Sequence, residues 1–513
     1  ADQKYNIKTE SSIKNFCLSK NYQSYAGAKQ KQQKNDPFFE AVFVRICFLL
    51  SSLFSLLFSF LFSVFFCFAV FFPLSPSFYL FFAFYDGTVI CVDSPTYINW
   101  ESSREPLYPL FLALLRFLLG GTGEGYLFGV VLLQSILAGI SAFALSEYLR
   151  QECRLKEVEA FFLLLIPMAV SLLCRYAAGR GSMYSNSILT EGIAVSGYLL
   201  FFRFLMEFVF HHTRKGLLCG AFLAFLLYLT RKQMILCLFM LGAAILYVYG
   251  AKKKKWLRSM ALFAACLIGV LGSAKLVDGA SNYLFRGRIM THTSDVRFLA
   301  TVEFYTADRE DGELFAEKEI RELFYKIYDP CAENDYLMPK EQESWTNRVS
   351  HFADNYDKIQ IDTMWPKVDE FVQRQYDCTG EEINLQADRV MKELGKCLLF
   401  HNSGKVLLLF FDNFREGLVT TVAKVHPILN WYSVFIYLLY AALFAFLIIR
   451  KGNQRILLFA GSVLVSVLGN VGLVSLVIFC QSRYTIYNMV LFYSGLFLLG
   501  RESLQQIKQI RKR

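Results

Sequence analysis

Two short strings, Asp93-Ser-Pro-Thr-Tyr97 and Ser103-Arg-Glu-Pro-Leu-Tyr-Pro109, hold the side chains best placed to do chemistry. They lie between apolar stretches, where an ionisable cluster at a membrane exit marks a functional site by default. A carboxylate such as Asp93 can take a proton from an acceptor hydroxyl or amine. Glu101 and Glu105 flank Arg104, whose guanidinium suits bidentate contact with a phosphate. Glu191 opens a later apolar stretch, either as a second acid at the site or as a helix N-terminal acid stabilised by the dipole. The same strings also fit a solvated loop whose prolines only break a helix.

Charge placement separates these readings. Arg175, Arg180, Arg231, Lys232 and Arg483 fall at the ends of apolar stretches on the side where positive charge is least expected. Together they fit a basic pocket for an anionic headgroup, most simply a phosphate or pyrophosphate. Pairing with acidic partners or with lipid headgroups is the alternative. No cofactor is required by such chemistry. Asp93 is followed by Ser94 and not by a second acid, so a divalent metal stays an option without support. The thirteen cysteines show no zinc-ligand spacing. Several lie within apolar blocks as small packing residues. Cys331 and Cys378 could pair in an oxidising compartment.

The elements that must position these residues are membrane helices. Of 513 residues, 55% are hydrophobic, and they come in blocks near the roughly 20 residues that cross a bilayer. An all-α polytopic protein is expected. The first block, residues 41–84, forms one span or two. Further spans are expected at Tyr126–Tyr148, Val158–Tyr176, Ile188–Phe208, Leu217–Leu229, Met234–Tyr249, Leu257–Val277, Ile428–Ile449, Ile456–Phe479 and Thr485–Leu499. Basic clusters at Lys252 to Lys255, Arg450 to Arg455 and Lys508 to Arg513 should be cytoplasmic. Alternation then gives about ten spans and puts the 85–109 loop outside the cytoplasm.

The net charge of +10 hides an asymmetry. Asp278 to Pro427 carries 27 acidic and 18 basic residues, leaving 16 acidic and 35 basic elsewhere. The basic excess reads as topology and lipid contact, not nucleic-acid binding. The expected layout is a disordered basic tail (1–38), a transmembrane module (39–277), and an acidic extracytoplasmic domain of mixed or mainly helical structure with an interfacial helix (278–427). Terminal spans (428–500) and a basic tail (501–513) follow. Residues 397–411, interrupted by His401, Asn402 and Gly404, read as interfacial or re-entrant.

With Asp93, Tyr97, Arg104, Pro106, Tyr108 and Pro109 in order, followed by Leu189-Thr190-Glu191, Thr230-Arg231 and Ser482-Arg483-Tyr484, the sequence resembles the GT-C superfamily of integral membrane glycosyltransferases. That superfamily includes protein mannosyltransferases and aminoarabinose transferases. The resemblance covers roughly residues 85 to 250 and the last span. It implies a GT-C-like bundle, a polyprenyl-phosphate-linked sugar donor, transfer with inversion on the outer face, and a glycan, lipid or protein acceptor. Asp93 would be the base or would orient the acceptor. Arg104, Arg231, Lys232 and Arg483 would hold the donor phosphate, and Tyr97, Tyr108 and Tyr484 would shape the pocket. A bacterial plasma membrane is the expected location. A transporter or flippase for an anionic lipid-linked sugar would also want a basic cavity, and a non-catalytic assembly factor is a further alternative.

Overall fold

The computed structural model describes residues 73–511, apart from 122–123, 178–180, 253 and 340–343. The N-terminal tail, most of the first apolar block, Arg180 and the last two residues therefore lie outside the described residues. Everything described is helix, turn or loop. An isolated bridge between Val89 and Ser187 is the sole extended pairing among these residues.

Helix α1 (Leu74–Asp86) ends at Gly87, whose φ of 66° is one that L side chains rarely adopt. A short α2 (Ser94–Ile98) and α3 (Leu107–Leu119) follow, each with proline in or just before its first turn, where the missing N–H costs nothing. The long helices come next: α4 (Glu124–Cys153), α5 (Glu157–Ala177), α6 (Glu191–His211), α7 (Arg214–Thr230), α8 (Ile235–Ile245) and α9 (Trp256–Arg286). Helix α6 stops where His212 takes a left-handed conformation, and Thr213 then caps α7 by accepting from the Gly216 amide. This tight corner sends α7 back along α6.

Among the described residues seven helices are long and apolar enough to cross a membrane. They run over Gly125–Cys153, Glu157–Tyr176, Glu191–His211, Lys232–Ala251, Trp256–Arg286, Pro427–Ile449 and Gln454–Ser475. The chain is a helical membrane protein. Two expected spans do not pass on length and composition. Helix α7 has only 17 residues. The last helix, Ser482–Arg511, has its apolar stretch diluted by Thr485, Asn488 and Ser494, which are buried against other helices. Helix α9 also runs nine residues past the expected end at Val277. Its polar Asp278 and Asn282 bond to the strap that follows, so burial continues where hydropathy falls.

After that strap, α10 (Asp295–Tyr305), α11 (Lys318–Glu333), α12 (Trp345–Asp357), α13 (Trp365–Tyr376) and α14 (Glu381–His401) enclose a core of Phe304, Tyr305, Phe324, Phe352, Met364 and Leu394. Helix α11 shows why: Ile320, Leu323, Phe324 and Ile327 recur at helical spacing and are all buried. Cys331 and Cys378 are both free thiols, so the pairing considered from the sequence is not formed. Helix α15 (Ser403–Val422) meets α14 at 91°, a broken span or re-entrant hairpin that takes in the expected interfacial segment. Helices α16 (Pro427–Ile449), α17 (Gln454–Ser475) and α18 (Ser482–Arg511) complete the chain.

Candidate functional site

The expected site residues gather at helix ends. Asp93 immediately precedes α2, Glu191 is the first residue of α6, Arg231 follows α7, and Arg483 is the second residue of α18. Three local devices bring them together. The Val89 amide donates to the Asn186 carbonyl at 2.9 Å and the Ile188 amide to Val89 at 3.0 Å, tying the loop before Asp93 to the loop before Glu191. Asn186 adds bonds from its side chain to the Phe82 and Gly87 carbonyls. At α18, Gln233 and Asn470 both donate to the Tyr484 carbonyl at 2.8 Å and so fix the backbone beside Arg483.

Asp93 has both oxygens engaged. Oδ1 accepts from Arg104 at 2.9 Å and Oδ2 from two nitrogens of Arg483 at 3.1 Å each. Arg483 reaches on through Nε to Glu191 Oε1 at 2.8 Å, and Arg231 meets the same oxygen at 2.6 Å. Thr190 accepts from Arg231 at 3.3 Å. Three guanidiniums thus face two carboxylates, which leaves one positive charge in the cluster. Burial is graded: the Glu191 side chain is fully enclosed, whereas 30% of Asp93 is accessible. An anion arriving from water would therefore meet Asp93, Arg104 and Arg483 before it met Glu191.

Burial works to raise the Asp93 carboxyl, but Arg104 and Arg483 outweigh it and hold the group below the usual carboxylate range. Burial likewise works to lower Arg483, and Glu191, Tyr484 and Asp93 reverse this and raise it. Asp93 is thus a fixed negative charge and a weak base while both arginines stay in place.

Aromatic rings frame the cluster. Arg104 lies over Tyr97 at 4.6 Å and also donates to its hydroxyl and to Thr96. Arg231 and Arg483 each sit 5.3 Å from the Tyr484 ring centre. Tyr108 packs edge-on against Tyr97 at 5.3 Å. Its hydroxyl donates to Gln134, which in turn donates to the Ser185 and Ser187 carbonyls.

Two expected residues sit apart. Arg175 pairs with Asp86, Nε to Oδ2 at 2.9 Å, among Phe82, Tyr85 and Tyr176. It takes part in a separate ion pair on α1 and α5 because Asp86 ends α1 at the same level. Lys232 lies at the rim. Its ammonium reaches the Tyr228 hydroxyl at 3.3 Å and Asp295 at 3.8 Å, while its backbone amide donates to Glu105. Arg180 is outside the described residues.

Sequence reasoning missed Gln134, Asn470, His292 and Asp357. The two amides are buried inside spans, where a lone neutral polar residue barely changes hydropathy. His292 bridges Asp278 at 2.6 Å and Asp295 at 3.0 Å, pinning the strap to α9. Burial alone would lower its imidazole, but the two carboxylates push it up to about 10. Asp357 ends α12, and burial first, then the negative charge of Asp93, raises its carboxyl above the usual range.

Among the described residues no group of three or more His, Cys, Asp or Glu side chains is placed to hold a metal ion. No family model matches the sequence, and neither a curated protein nor a solved structure matches it.

Proposed function

We propose that the chain is an integral membrane glycosyltransferase that moves a sugar from a polyprenyl-phosphate donor to a glycan, lipid or protein acceptor, with inversion. In this reading α7, α18 and the first apolar block join the seven long helices to give ten spans in a GT-C-like bundle. The 85–109 loop and the helical domain then face the extracytoplasmic side of a bacterial plasma membrane.

One observation carries the proposal. Guanidiniums from three distant parts of the chain converge with a positive excess at the ends of apolar helices. Convergent arginines suit the charge that develops on a leaving phosphate, because they offer oriented donors in a partly dry site. Arg483 spends three of its five N–H groups on carboxylates. Two remain for a phosphate oxygen without breaking the cluster. Arg104 would meet the donor phosphate from the accessible side, and Asp93 and Glu191 would keep the arginines extended toward it. Tyr97, Tyr108 and Tyr484 would wall the pocket.

The test is release of polyprenyl phosphate from a panel of polyprenyl-phosphate sugars by purified protein in lipid nanodiscs. Arg483→Ala should lower release by about a hundredfold or more, the scale of removing one donor to a developing anion. Release by Arg483→Ala at the wild-type rate would remove the basis of the proposal. Movement of labelled donor across sealed vesicles with no covalent product would point instead to a transporter.

A further inference from the structure

The loop that carries Asp93 and Arg104 is held from outside the cluster. The Glu101 amide donates to the Thr96 carbonyl at 2.9 Å and the Arg104 amide to the Glu101 carbonyl at 3.1 Å, closing a turn with Ser102 inside it. Just before this turn Trp100 has a φ of 52°. A bulky side chain keeps that left-handed conformation only where its surroundings over-determine it. Here the surroundings are the last turn of α9. The Phe285 ring lies 3.8 Å from the Trp100 ring, centre to centre, and Arg286 donates to the Trp100 carbonyl.

Ser102 is buried and gripped in turn. The Thr293 amide of the strap donates to the Ser102 carbonyl at 2.8 Å. The Thr293 hydroxyl and the Asn384 amide of α14 each donate to Ser102 Oγ at 3.3 Å. The strap is anchored on both sides, by His292 between Asp278 and Asp295 and by the Ser294 amide donating to Asp388 at 2.8 Å. Arg104 depends on this grip. Its side chain bonds to Thr96, Tyr97 and Asp93, all within its own loop. Where its guanidinium sits relative to Arg231 and Arg483 therefore follows from where the loop is held. The helical domain also touches the segments of those two arginines. Asp295 lies 3.8 Å from Lys232, next to Arg231, and the Tyr356 hydroxyl of α12 donates to the Val477 carbonyl at 3.3 Å in the loop leading to Arg483.

We infer that Phe285, Arg286, Thr293 and Asn384 are positioning residues for the donor phosphate, acting through Trp100 and Ser102 on Arg104. The inference rests on the transferase reading above. None of the four reaches the phosphate itself. They hold the Arg104 end of the loop at the height where three guanidiniums converge, while Val89 ties the Asp93 end to the loop before α6. A displaced loop would carry Arg104 away from the other two arginines, and donor binding would lose one oriented, charged donor. The strap and α14 thereby make the fit of the helical domain against the bundle a determinant of donor affinity.

The experiment measures binding of undecaprenyl phosphate to the full chain in lipid nanodiscs. Phe285→Ala and Asn384→Ala should each bind about tenfold more weakly than wild type, the scale of losing one hydrogen bond to a charged group. Phe285→Tyr, which keeps the ring, should match wild type. So should Tyr283→Ala, which removes an exposed ring from the same end of α9. In an Arg104→Ala background, neither Phe285→Ala nor Asn384→Ala should weaken binding further, because a positioning residue then has nothing left to position. Should Phe285→Ala not fold, Asn384→Ala completes the same cycle. Losses that multiply in the double variants would show these residues acting on something other than Arg104 and would overturn the inference. Wild-type binding by both Phe285→Ala and Asn384→Ala, with Arg104→Ala weakened, would also overturn it and leave the transferase reading standing. If wild type binds no undecaprenyl phosphate, that reading falls and the inference falls with it.

Discussion

Asp93 and Glu191 share Arg483 but not its surroundings, and that contrast decides what each can do. Glu191 is completely enclosed and accepts from two guanidiniums. Removing one partner of a buried pair strands the other charge, at a cost of about 3–5 kcal/mol. Glu191→Ala strands Arg231 in a largely buried position and takes from Arg483 one of its two carboxylates, so it should lower the thermal unfolding midpoint far more than Asp93→Asn does; equal midpoints for the two variants would refute the enclosed pairing. Asp93 makes a second, pH-dependent case. Its folded carboxyl is depressed, so its pairing contributes stability above the ordinary carboxylate pKa near 4. That contribution is lost as pH falls through the lower folded value. Hydrogen exchange over residues 94–105, corrected for intrinsic rate, should be flat from pH 8 to 5 and should rise only below about 4. Loosening between pH 8 and 6 would show that something else holds the loop. These charged residues were legible in the sequence because ions at the ends of apolar stretches are costly and therefore conspicuous. Arg175 looked equivalent by that rule. Its partner Asp86 lies 89 residues away, and no local pattern separates a paired arginine from a convergent one.

At the scale of elements, hydropathy found the helices that lipid surrounds and faltered where helices bury polar groups against each other. Helix α9 shows the first kind, with Leu257, Ile268 and Leu276 exposed. Helix α18 shows the second, and its inward Asn488 and Thr485 dilute the pattern. The helical domain has a device invisible to any pattern. Glu303 of α10 is buried without an ion pair among the described residues, opposite Gly395 of α14, where an added Cβ would collide with the carboxylate. Burial pushes its pKa up to about 7. The unfolded chain gives up that proton near pH 4.5, whereas the folded domain keeps it until about 7. Stability from Glu303 is therefore full below about pH 4.5 and falls by about 3 kcal/mol as pH rises to 7 and beyond. Glu303→Gln should leave the unfolding midpoint at pH 8 higher than wild type and nearly independent of pH between 5 and 8. A variant that loses stability on acidification would reverse that sign and exclude a buried neutral acid. Gly395→Ala should destabilise the domain at every pH, since the added methyl occupies the space of the buried Glu303 carboxylate and pushes it aside.

Across the whole molecule, ionic groups collect at both ends of the helix bundle. Glu191 and His211 bound the same 21-residue helix, about 30 Å apart at 1.5 Å per residue. At the His211 end, Glu152 pairs with His211 at 2.8 Å and with Arg455 at 2.6 Å, and Arg501 meets Glu159 at 3.0 Å. At the Glu191 end lie the arginine cluster and, through α12 and the strap, the acidic helical domain. Lys254 and Lys255 follow the 232–251 span whose first residue touches Glu105 and Asp295. The two charge populations thus sit on opposite ends of the same helices, acidic domain against basic turns, as the positive-inside rule would arrange them. Alternation of spans leads one to expect such a separation, because basic turns recur at spacings of one or two helix lengths. The residue-level partners were not readable, since they depend on which helix ends meet. The arrangement predicts a labelling pattern in a cysteine-free background. A membrane-impermeant maleimide should modify Glu313→Cys, on the exposed face of the domain, in intact cells. Lys255→Cys, in the exposed basic turn, should react only after permeabilisation. Modification of both without permeabilisation would place the lysine turn and the acidic domain on one side.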